Sequence, residues 1–170
     1  MSKPIEPVLT KLIVSLITSN KDVIKTVLRK LEDKFGAIDF LTEAIDFNHT
    51  DYYKKEMGEG LFRKLASFER LIKPDELAII KIFTNSLEDE HLTIDGKRII
   101  NIDPGYIAME KMVLATCKNF SHRICLQNGV YADLIFIYKN GGFQSLEWTF
   151  PDYAKNTMKE IFSASGKFSL

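Results

Sequence analysis

Cysteine is scarce in this chain, which contains only two among its 170 residues. Cys117 and Cys125 do not form a C-x-x-C pair, and no second pair is present to complete a zinc site. Both lie in apolar, strand-like stretches, where cysteine is usually a small buried hydrophobic residue. The sequence therefore predicts two buried thiols and no cysteine-based metal centre.

A charge excess and a long hydrophobic run are missing as well. The 23 Lys and Arg residues are balanced by 23 Asp and Glu residues, and no run of Lys or Arg is longer than two. Nucleic-acid binding usually needs a concentrated basic face, so general nucleic-acid binding is not expected. No stretch reaches the ~20 apolar residues of a membrane span. Residues 8–20 are apolar but do not form a signal peptide, because Lys11 interrupts them and no cleavage site follows. We expect a cytoplasmic protein without a membrane partner.

The common signatures of cofactor and catalytic sites are absent too. The chain has no phosphate-binding P-loop, no G-x-G-x-x-G fingerprint, no H-E-x-x-H motif and no G-x-S-x-G elbow. Its histidines, His49, His91 and His122, lie far apart in the sequence. His49 could form a metal site with Asp46 and Asp51, but such residues more often form a turn. The sequence thus carries no metal, haem or Rossmann-type dinucleotide signature, and the cofactor is unknown.

What the chain does contain is an alternation of strand and helix patterns. Short β-rich apolar runs predict strands, and apolar stripes at helical spacing after capping residues predict helices. From residue 11 to residue 104 the order is β-α-β-β-α-β, which predicts an α+β fold with a ferredoxin-like core. A helix fits residues 61–72 nearly as well as the strand in this order. The expected strands are residues 12–18, 37–47, 61–72 and 98–102, and the expected helices are residues 20–35 and 74–91.

The rest of the chain predicts a C-terminal antiparallel β meander over residues 105–150 and a terminal helix over about residues 152–163. Asn-Gly at 128–129 and Asn-Gly-Gly at 140–142 are turn signals between its strands. Because no internal repeat or low-complexity segment is present, residues 1–170 are expected to form a single domain. The pattern leaves open whether the meander extends the first sheet or forms a second one.

Two local patterns carry further expectations. The second helix is predicted to bury Ile79, Ile82, Phe83 and Leu87, which recur at helical spacing. Asp-Pro-Gly at residues 103–105 is predicted to end a strand and form a tight turn. A helical turn would then begin at Tyr106.

The stretch KNFSHRICL concentrates positive charge around one loop through Lys118, His122 and Arg123. Arginine binds carboxylate or phosphate through two parallel hydrogen bonds, so Lys118 and Arg123 are candidate anion ligands. His122 titrates near neutral pH and is a candidate general acid or base. If HRICL is a strand, His122 and Arg123 point to opposite faces and serve one site only across a bulge. The alternative is a strand start with a solvated arginine and a histidine bonded to the backbone.

Two further stretches supply candidate site residues. Asp103 is expected at the end of a strand, where binding carboxylates often lie, and is a second candidate acid or base. Tyr52 and Tyr53 lie in a polar connection and are candidates to line a ligand pocket, since tyrosine combines rigid contact area with a hydroxyl. The alternatives are a turn-forming aspartate and aromatic anchors of a surface loop.

Several irregular blocks resemble a known family. FNHTDYYKKEMGEGLFRKLASFERLI, IKIFTNSLE, NIDPGYIAMEKMVLATCKNFSHRICL and GGFQSLEWTFPDY occur in this order. They are similar to the signature blocks of an uncharacterised prokaryotic family, domain of unknown function 4416, over about residues 11–153. The resemblance is specific, but it implies no activity for any residue.

Two hypotheses of function follow. The first is a soluble binding protein or enzyme that acts on an anionic small molecule, either nucleotide-like or phosphorylated. It is favoured because polar and aromatic residues concentrate in the connections instead of scattering. The second is a non-catalytic protein-interaction module, a homodimer formed through a sheet edge or an aromatic patch, since open sheet edges need a cover.

Overall fold

The computed structural model describes residues 2–48 and 53–166, which form an α+β fold. Within those residues, nine strands make one sheet in which paired strands run antiparallel. The strands are β1 (Thr10–Thr18), β2 (Ile38–Leu41), β3 (Ile45–Asp46), β4 (Phe62–Ile72), β5 (Ile100–Ile107), β6 (Lys111–Thr116), β7 (Arg123–Cys125), β8 (Tyr131–Lys139) and β9 (Gly142–Ser145). The helices are α1 (Lys21–Phe35), α2 (Lys54–Met57), α3 (Leu77–Asp89) and α4 (Asn156–Gly166), and a 3₁₀ turn, Pro74–Glu76, leads into α3.

The strand order shows how the C-terminal meander joins the rest of the chain. Along the sheet the strands follow the order β2-β4-β1-β5-β6-β8-β7, with β3 beside β4 and β9 beside β8. The link between the two parts is the antiparallel pair of β5 and β6. The meander therefore extends the first sheet, which answers the question that the pattern left open.

The central strand β1 is buried on both faces of the sheet, so its side chains divide two apolar clusters. Leu12, Val14 and Leu16 belong to the cluster that includes buried residues of α1 and α3. Ile13 lies on the other face, in the cluster that includes Phe162 of α4. This alternation is the period of two that a strand imposes on its side chains. The result is a sheet with α1 and α3 on one face and α4 on the other.

The first helix forms as its sequence predicts. The Asn20 side chain accepts hydrogen bonds from the backbone N–H groups of Asp22 and Val23, at 2.9 and 3.1 Å, and so caps the helix. Its buried residues are Ile24, Val27, Leu31 and Phe35, which form one apolar stripe. After Phe35 the chain turns at Gly36, whose φ of 92° suits glycine.

The buried face predicted for the second helix, α3, is wrong in two of its residues. Ile79 and Ile82 are 60% and 42% exposed. In their place Lys81, Thr84 and Glu88 face the sheet and are buried. The physical reason is the strand beneath α3, because the edge of β5 at this point has open hydrogen-bonding groups that apolar side chains could not satisfy.

The tight turn predicted at residues 103–105 is also wrong. All three residues lie within β5, and Asp103, Pro104 and Gly105 pair with residues of β1. The helical turn predicted at Tyr106 is absent too, because Tyr106 pairs with Val113 of β6. A proline is tolerated inside this strand because β6 pairs with β5 only from Gly105 to Ile107.

Pro104 and Gly105 together explain where β5 and β6 separate. In an antiparallel strand the backbone groups of alternate residues point to the same side, so those of Ile102 and Pro104 both point away from β1. Pro104 has no N–H to donate there, and the ladder ends. At Gly105 the two strands approach so closely that a Cβ atom would lie 2.4 Å from the carbonyl oxygen of Val113. Glycine is therefore required for the last pairing before the split.

The strand expected over residues 37–47 is divided into β2 and β3. β2 ends opposite Ala66 of β4 and β3 begins opposite Arg63, so residues 42–44 face only two residues of β4. The extra residue forms a bulge, and Thr42 stabilises it by accepting a hydrogen bond from the backbone N–H of Leu65 at 3.0 Å.

Candidate functional site

A cavity of about 830 Å³ opens where β6 separates from β5. On its α3 side, two side chains replace the missing strand. The Lys81 Nζ donates to the carbonyl oxygen of Ile102 at 2.8 Å, and the Glu88 carboxylate accepts from the N–H of Ile102 at 2.6 Å. These bonds satisfy both backbone groups of Ile102, which have no partner in β6.

Charged side chains of both signs line the cavity in equal number. The basic residues are Arg63, Lys81, Arg98, Lys118 and Arg123. The acidic residues are Glu88, Asp89, Asp103, Asp133 and Asp152. Aromatic rings of Phe47, Tyr53, Phe150 and Tyr153 form part of the same wall. The lining therefore combines apolar contact area with several fixed hydrogen-bonding groups, which is the usual make-up of a ligand site.

Four of the six residues predicted for the site line this one cavity. They are Tyr53, Asp103, Lys118 and Arg123, which come from widely separated parts of the sequence. His122 does not line the cavity, and its Nε2 lies 3.4 Å from a carboxylate oxygen of Asp133. Tyr52 falls outside the described residues.

Asp103 lines the cavity and is held by two donors. Lys81 Nζ lies 3.1 Å from one carboxylate oxygen, and the Asn101 side-chain amide donates to the other at 2.6 Å. The Asp103 side chain remains 29% exposed, so a ligand can reach it. Its orientation is fixed by these bonds, which suits a carboxylate that accepts a hydrogen bond or a proton from a bound molecule.

A network around Arg98 borders Asp103. Two nitrogens of the guanidinium group, Nε and Nη2, pair with the Glu56 carboxylate at 2.8 and 2.7 Å, and Nη1 donates to the Asn101 side chain at 3.0 Å. The bonds from Arg98 lower the pKa of Glu56, and the positive charge of Lys118 adds to this effect. In contrast, burial raises the pKa of Glu88, although Lys81 and the bond from Ile102 oppose this.

Arg123 and His122 both reach the Asp133 carboxylate. Arg123 Nε donates to one oxygen at 2.8 Å, while His122 Nε2 lies 3.4 Å from the other. The expectation that the two residues point to opposite faces does not apply, because His122 precedes the first residue of β7. The His122 ring stacks on Trp148, with 4.8 Å between centroids and 12° between planes. His122 thus contacts Asp133 without lining the cavity.

Arg63 and Tyr53 complete the other side of the cavity. The Arg63 guanidinium lies over the rings of Phe47 and Tyr153, at 4.7 and 4.5 Å from their centroids, and its Nη1 pairs with Asp152 at 2.5 Å. Burial and the nearby Asp103 carboxylate raise the pKa of Tyr53, so its hydroxyl stays protonated.

Both cysteines are exposed, so the prediction of two buried thiols is wrong. Cys117 follows the last residue of β6 and lines the cavity, where its sulfur accepts a hydrogen bond from the Asn85 side chain at 3.3 Å. Cys125 ends β7, which has β8 on one side and terminates the sheet order on the other. An edge strand of three residues is covered on one side alone, and this leaves the thiol in solvent.

The sequence model of the family described as domain of unknown function (DUF4416) matches residues 8–167. The chain belongs to the DUF4416 family. No curated protein and no solved structure matches it. Family membership is thus established over nearly the whole chain, while the chemistry of the site has to be inferred from its geometry.

Among residues 2–48 and 53–166, no group of three or more His, Cys, Asp and Glu side chains is arranged to hold a metal ion. In the same part of the chain, no helix is long and apolar enough to cross a membrane.

Sequence reasoning missed three basic residues of the DUF4416 cavity, Arg63, Lys81 and Arg98. One signal was available for Lys81. Lys81, Asn85 and Glu88 follow at spacings of four and three residues, so they form a polar stripe along α3. A polar stripe between buried positions of a helix indicates that the helix covers polar groups. No comparable signal marks Arg63 or Arg98, because each is one of two adjacent basic residues at a strand or beside one, which is an ordinary surface pattern.

Proposed function

We propose that this DUF4416 protein binds an anionic small molecule, nucleotide-like or phosphorylated, in the cavity between β5 and β6, as a binding protein or an enzyme. One observation carries the proposal: Tyr53, Asp103, Lys118 and Arg123 line one cavity of about 830 Å³. Ligand pockets commonly have roughly 300–1,000 Å³ and combine apolar walls with a few polar groups.

Equal numbers of acidic and basic residues raise the question of how an anion would be held. The hydrogen bonds of Arg123 use Nε, to Asp133, and Nη1, to the backbone oxygen of Lys118 at 3.0 Å. Its Nη2 has no hydrogen-bond partner among the described residues, so an anion could bind there without breaking the pair with Asp133. Asp103 would face the bound molecule as the candidate acid or base, and Tyr53 would donate from its hydroxyl.

A thermal-shift screen of nucleotides and of phosphorylated or carboxylated metabolites tests this proposal. A ligand at a hundred times its dissociation constant stabilises the folded protein by ~2.7 kcal/mol. For a chain of this size the expected shift is several degrees, at roughly 2–4 °C per kcal/mol. Arg123→Ala should abolish the shift, and Arg123→Lys, which keeps a cation beside Asp133, should reduce it. Arg70→Ala is the control, because Arg70 is exposed and does not line the cavity.

The two exposed cysteines provide a direct test of where a ligand binds. Cys117 lines the cavity and Cys125 does not, although both are exposed. A ligand in the cavity should slow alkylation of Cys117 by N-ethylmaleimide and leave Cys125 unaffected, which mass spectrometry of the modified peptides would measure. A stabilising ligand that protects neither thiol, or both equally, would count against this cavity as its site.

A second candidate function, a homodimeric interaction module, is favoured by the edge strand β7. Ile124 and Phe120 are 70% and 63% exposed at this edge. Open edges of this kind are templates for pairing with another strand. Analytical ultracentrifugation would test this candidate, which predicts a dimer that Ile124→Lys converts to a monomer. A protein that is monomeric at all concentrations would overturn this candidate. If a ligand also binds in the cavity, ligand binding is then the function that remains.

The finer fold class and the location also remain proposals. A ferredoxin-like core is supported by the order β2-β4-β1-β5, in which each neighbour is antiparallel and α1 and α3 connect the strands. A solved experimental structure with a different order would overturn it. A cytoplasmic location rests on the sequence alone and is checked by cell fractionation.

A further inference from the structure

Three arginines of the described chain line the cavity, and they differ in how many of their side-chain nitrogens are used. All three nitrogens of Arg98 donate to protein groups. Arg63 bonds only through Nη1, to Asp152, and Arg123 bonds through Nε and Nη1. The Nη2 atoms of Arg63 and Arg123 therefore have no hydrogen-bond partner among the described residues. Each of the two can donate to a bound molecule.

Arg63 is held in a fixed position before any ligand binds. Its guanidinium group lies over the rings of Phe47 and Tyr153, at 4.7 and 4.5 Å from their centroids, and the residue is only 5% exposed. Nε is sealed from solvent, whereas the unpaired Nη2 is not among the sealed atoms. Because the Arg63 side chain lines the cavity, Nη2 is the atom through which it can reach a ligand. A donor fixed in this way binds an acceptor with little loss of conformational entropy.

The register of the sheet places both arginines on the same face as Asp103. Directly paired residues of a sheet lie on one face, and so do residues two apart in a strand. Through these pairings Arg63 is level with Asn101 of β5, and Arg123 is level with Gly105. Asp103 lies midway between those two positions of β5. The candidate acid or base is therefore situated between the two free arginine donors.

The two arginines are too far apart to hold one acidic group together. Between β4, which carries Arg63, and β7, which carries Arg123, lie β1, β5, β6 and β8, so five strand spacings separate the two backbones. Each spacing is ~4.8 Å. A single phosphate or carboxylate therefore reaches one guanidinium group, and the two free donors require two separate acceptors.

We propose that the ligand of this cavity carries two acidic groups at opposite ends, one bound by Nη2 of Arg123 and the other by Nη2 of Arg63. An acid is the fitting acceptor because a guanidinium group stays charged, and its bonds to carboxylate or phosphate are about twice as strong as bonds between neutral groups. Asp103 then faces the middle of the molecule. This inference rests on the proposed function, since it names the chemical class of the molecule bound in the same cavity.

Matched probes with one and with two acidic ends test the inference on the wild-type protein. One pair is fructose 6-phosphate and fructose 1,6-bisphosphate, and the other is adenosine 5′-monophosphate and adenylosuccinate, which adds carboxylates at the far end. A hydrogen bond to a charged group should make the doubly acidic member of the preferred pair bind roughly 10–100-fold more tightly. Isothermal titration calorimetry measures the dissociation constants. The best ligand of the metabolite screen should likewise carry two acidic groups.

Arg63→Met sharpens the test because it keeps the aliphatic stem between the two rings and removes the donor. We expect the doubly acidic probe to fall to about the affinity of its singly acidic partner, and the latter to change less than about threefold. Arg70→Ala is the control and should leave both affinities unchanged, because Arg70 is an exposed residue of the same strand that does not line the cavity. Equal weakening of both probes by Arg63→Met would indicate a merely structural role and overturn the inference.

The outcomes separate this inference from the proposed function. Equal affinities within both pairs, or a best screen ligand that has one acidic group and protects Cys117, would overturn the inference and leave anion binding in the cavity standing. A preference for two acidic groups that survives Arg63→Met would also overturn it. No binding of any probe and no protection of Cys117 across the metabolite screen would overturn both. If Arg63→Met does not fold, as judged by its thermal unfolding, the double variant with Asp152→Asn replaces it, because that change removes the carboxylate left unpaired.

Discussion

The two long helices on one face of the sheet, α1 and α3, differ in whether they bury polar side chains. α1 buries Ile24, Val27, Leu31 and Phe35, and all four are apolar. α3 buries Lys81, Thr84 and Glu88 beside its apolar residues and exposes two isoleucines. The difference lies in what each helix covers. α1 packs over strands whose backbone groups are paired with one another, whereas α3 packs against β5 where β6 has separated from it.

This difference shows how the fold makes room for a site. A closed sheet needs only apolar cover, because its ladder already satisfies the backbone. A sheet that splits has open N–H and C=O groups, and a covering helix must supply polar side chains in place of the missing strand. The same side chains then become part of the cavity wall, as Lys81 does when it contacts both Ile102 and Asp103.

The largest expected loss of stability comes from a substitution in α1. Leu31→Ala removes a side chain that is 0% exposed and leaves a cavity in the apolar cluster. We expect a loss of about 2–5 kcal/mol in the free energy of unfolding, as for other buried leucines. Urea unfolding followed by circular dichroism measures it. A loss below ~1 kcal/mol would show that α1 does not depend on its apolar stripe.

On the α3 side the corresponding change is Lys81→Met, which keeps the aliphatic stem and removes the ammonium group. The Ile102 carbonyl and Asp103 then lose a donor, and we expect a loss of about 1–3 kcal/mol in urea unfolding. Lys30→Met is the matched control, because the ion pair of Lys30 with Glu90 is 40% and 48% exposed. Such pairs contribute about 0–1 kcal/mol. Equal losses in the two variants would contradict a special role for Lys81.

Glu88 distinguishes the two helices through the pH dependence of stability. Because burial raises its pKa in the folded protein, the folded state binds this proton more tightly than the unfolded state, whose ordinary pKa is 4.5. The resulting stabilisation is complete below pH 4.5 and is lost as the pH rises through the folded pKa. Glu88→Gln does not titrate, and its amide oxygen can still accept from Ile102.

The expected result is that the unfolding free energy of the wild type, minus that of Glu88→Gln, decreases as the pH rises from about 4.5. Urea unfolding of both proteins between pH 4 and pH 8 measures this difference. An increase over the same range would mean that the interaction with Lys81 and Arg98 outweighs burial, and that the charged form of Glu88 stabilises α3.

The smallest effect is expected on the solvent side of α3. Ile82 is 42% exposed, and alanine is a better helix former than isoleucine. Ile82→Ala should therefore change the free energy of unfolding by less than about 0.5 kcal/mol. A loss comparable to that of Leu31→Ala would show that Ile82 is buried, as its spacing predicts, and would reverse the assignment of the helix face.

Sequence patterns located most elements, and several of their failures lie at the split between β5 and β6. α1, its cap at Asn20 and β1 follow from local apolar spacing and capping residues, which act within a few residues of the chain. The buried face of α3 and the continuation of β5 through Pro104 both depend on the absence of β6 beside the first part of β5. No local sequence pattern indicates this absence.

For the site, the sequence supplied candidates without their arrangement. Asp103, Lys118 and Arg123 attract attention because they are charged residues beside apolar strands, and they do line one cavity. His122 attracts attention for the same reason, yet it contacts Asp133 and does not line the cavity. Arg63 and Arg98 are ordinary surface-type residues in the sequence, and only the folded chain brings them to the cavity.

By itself the sequence determined the α+β class, the family, the first helix and the balance of charge, because these depend on composition and on patterns along the chain. Only the tertiary structure decided that the meander extends the first sheet, that β6 leaves β5 at Pro104 and that α3 turns Lys81 and Glu88 inward. The physical reason is that backbone groups must be satisfied wherever they come to lie. Which groups lack a strand partner is settled by contacts between residues distant in the sequence.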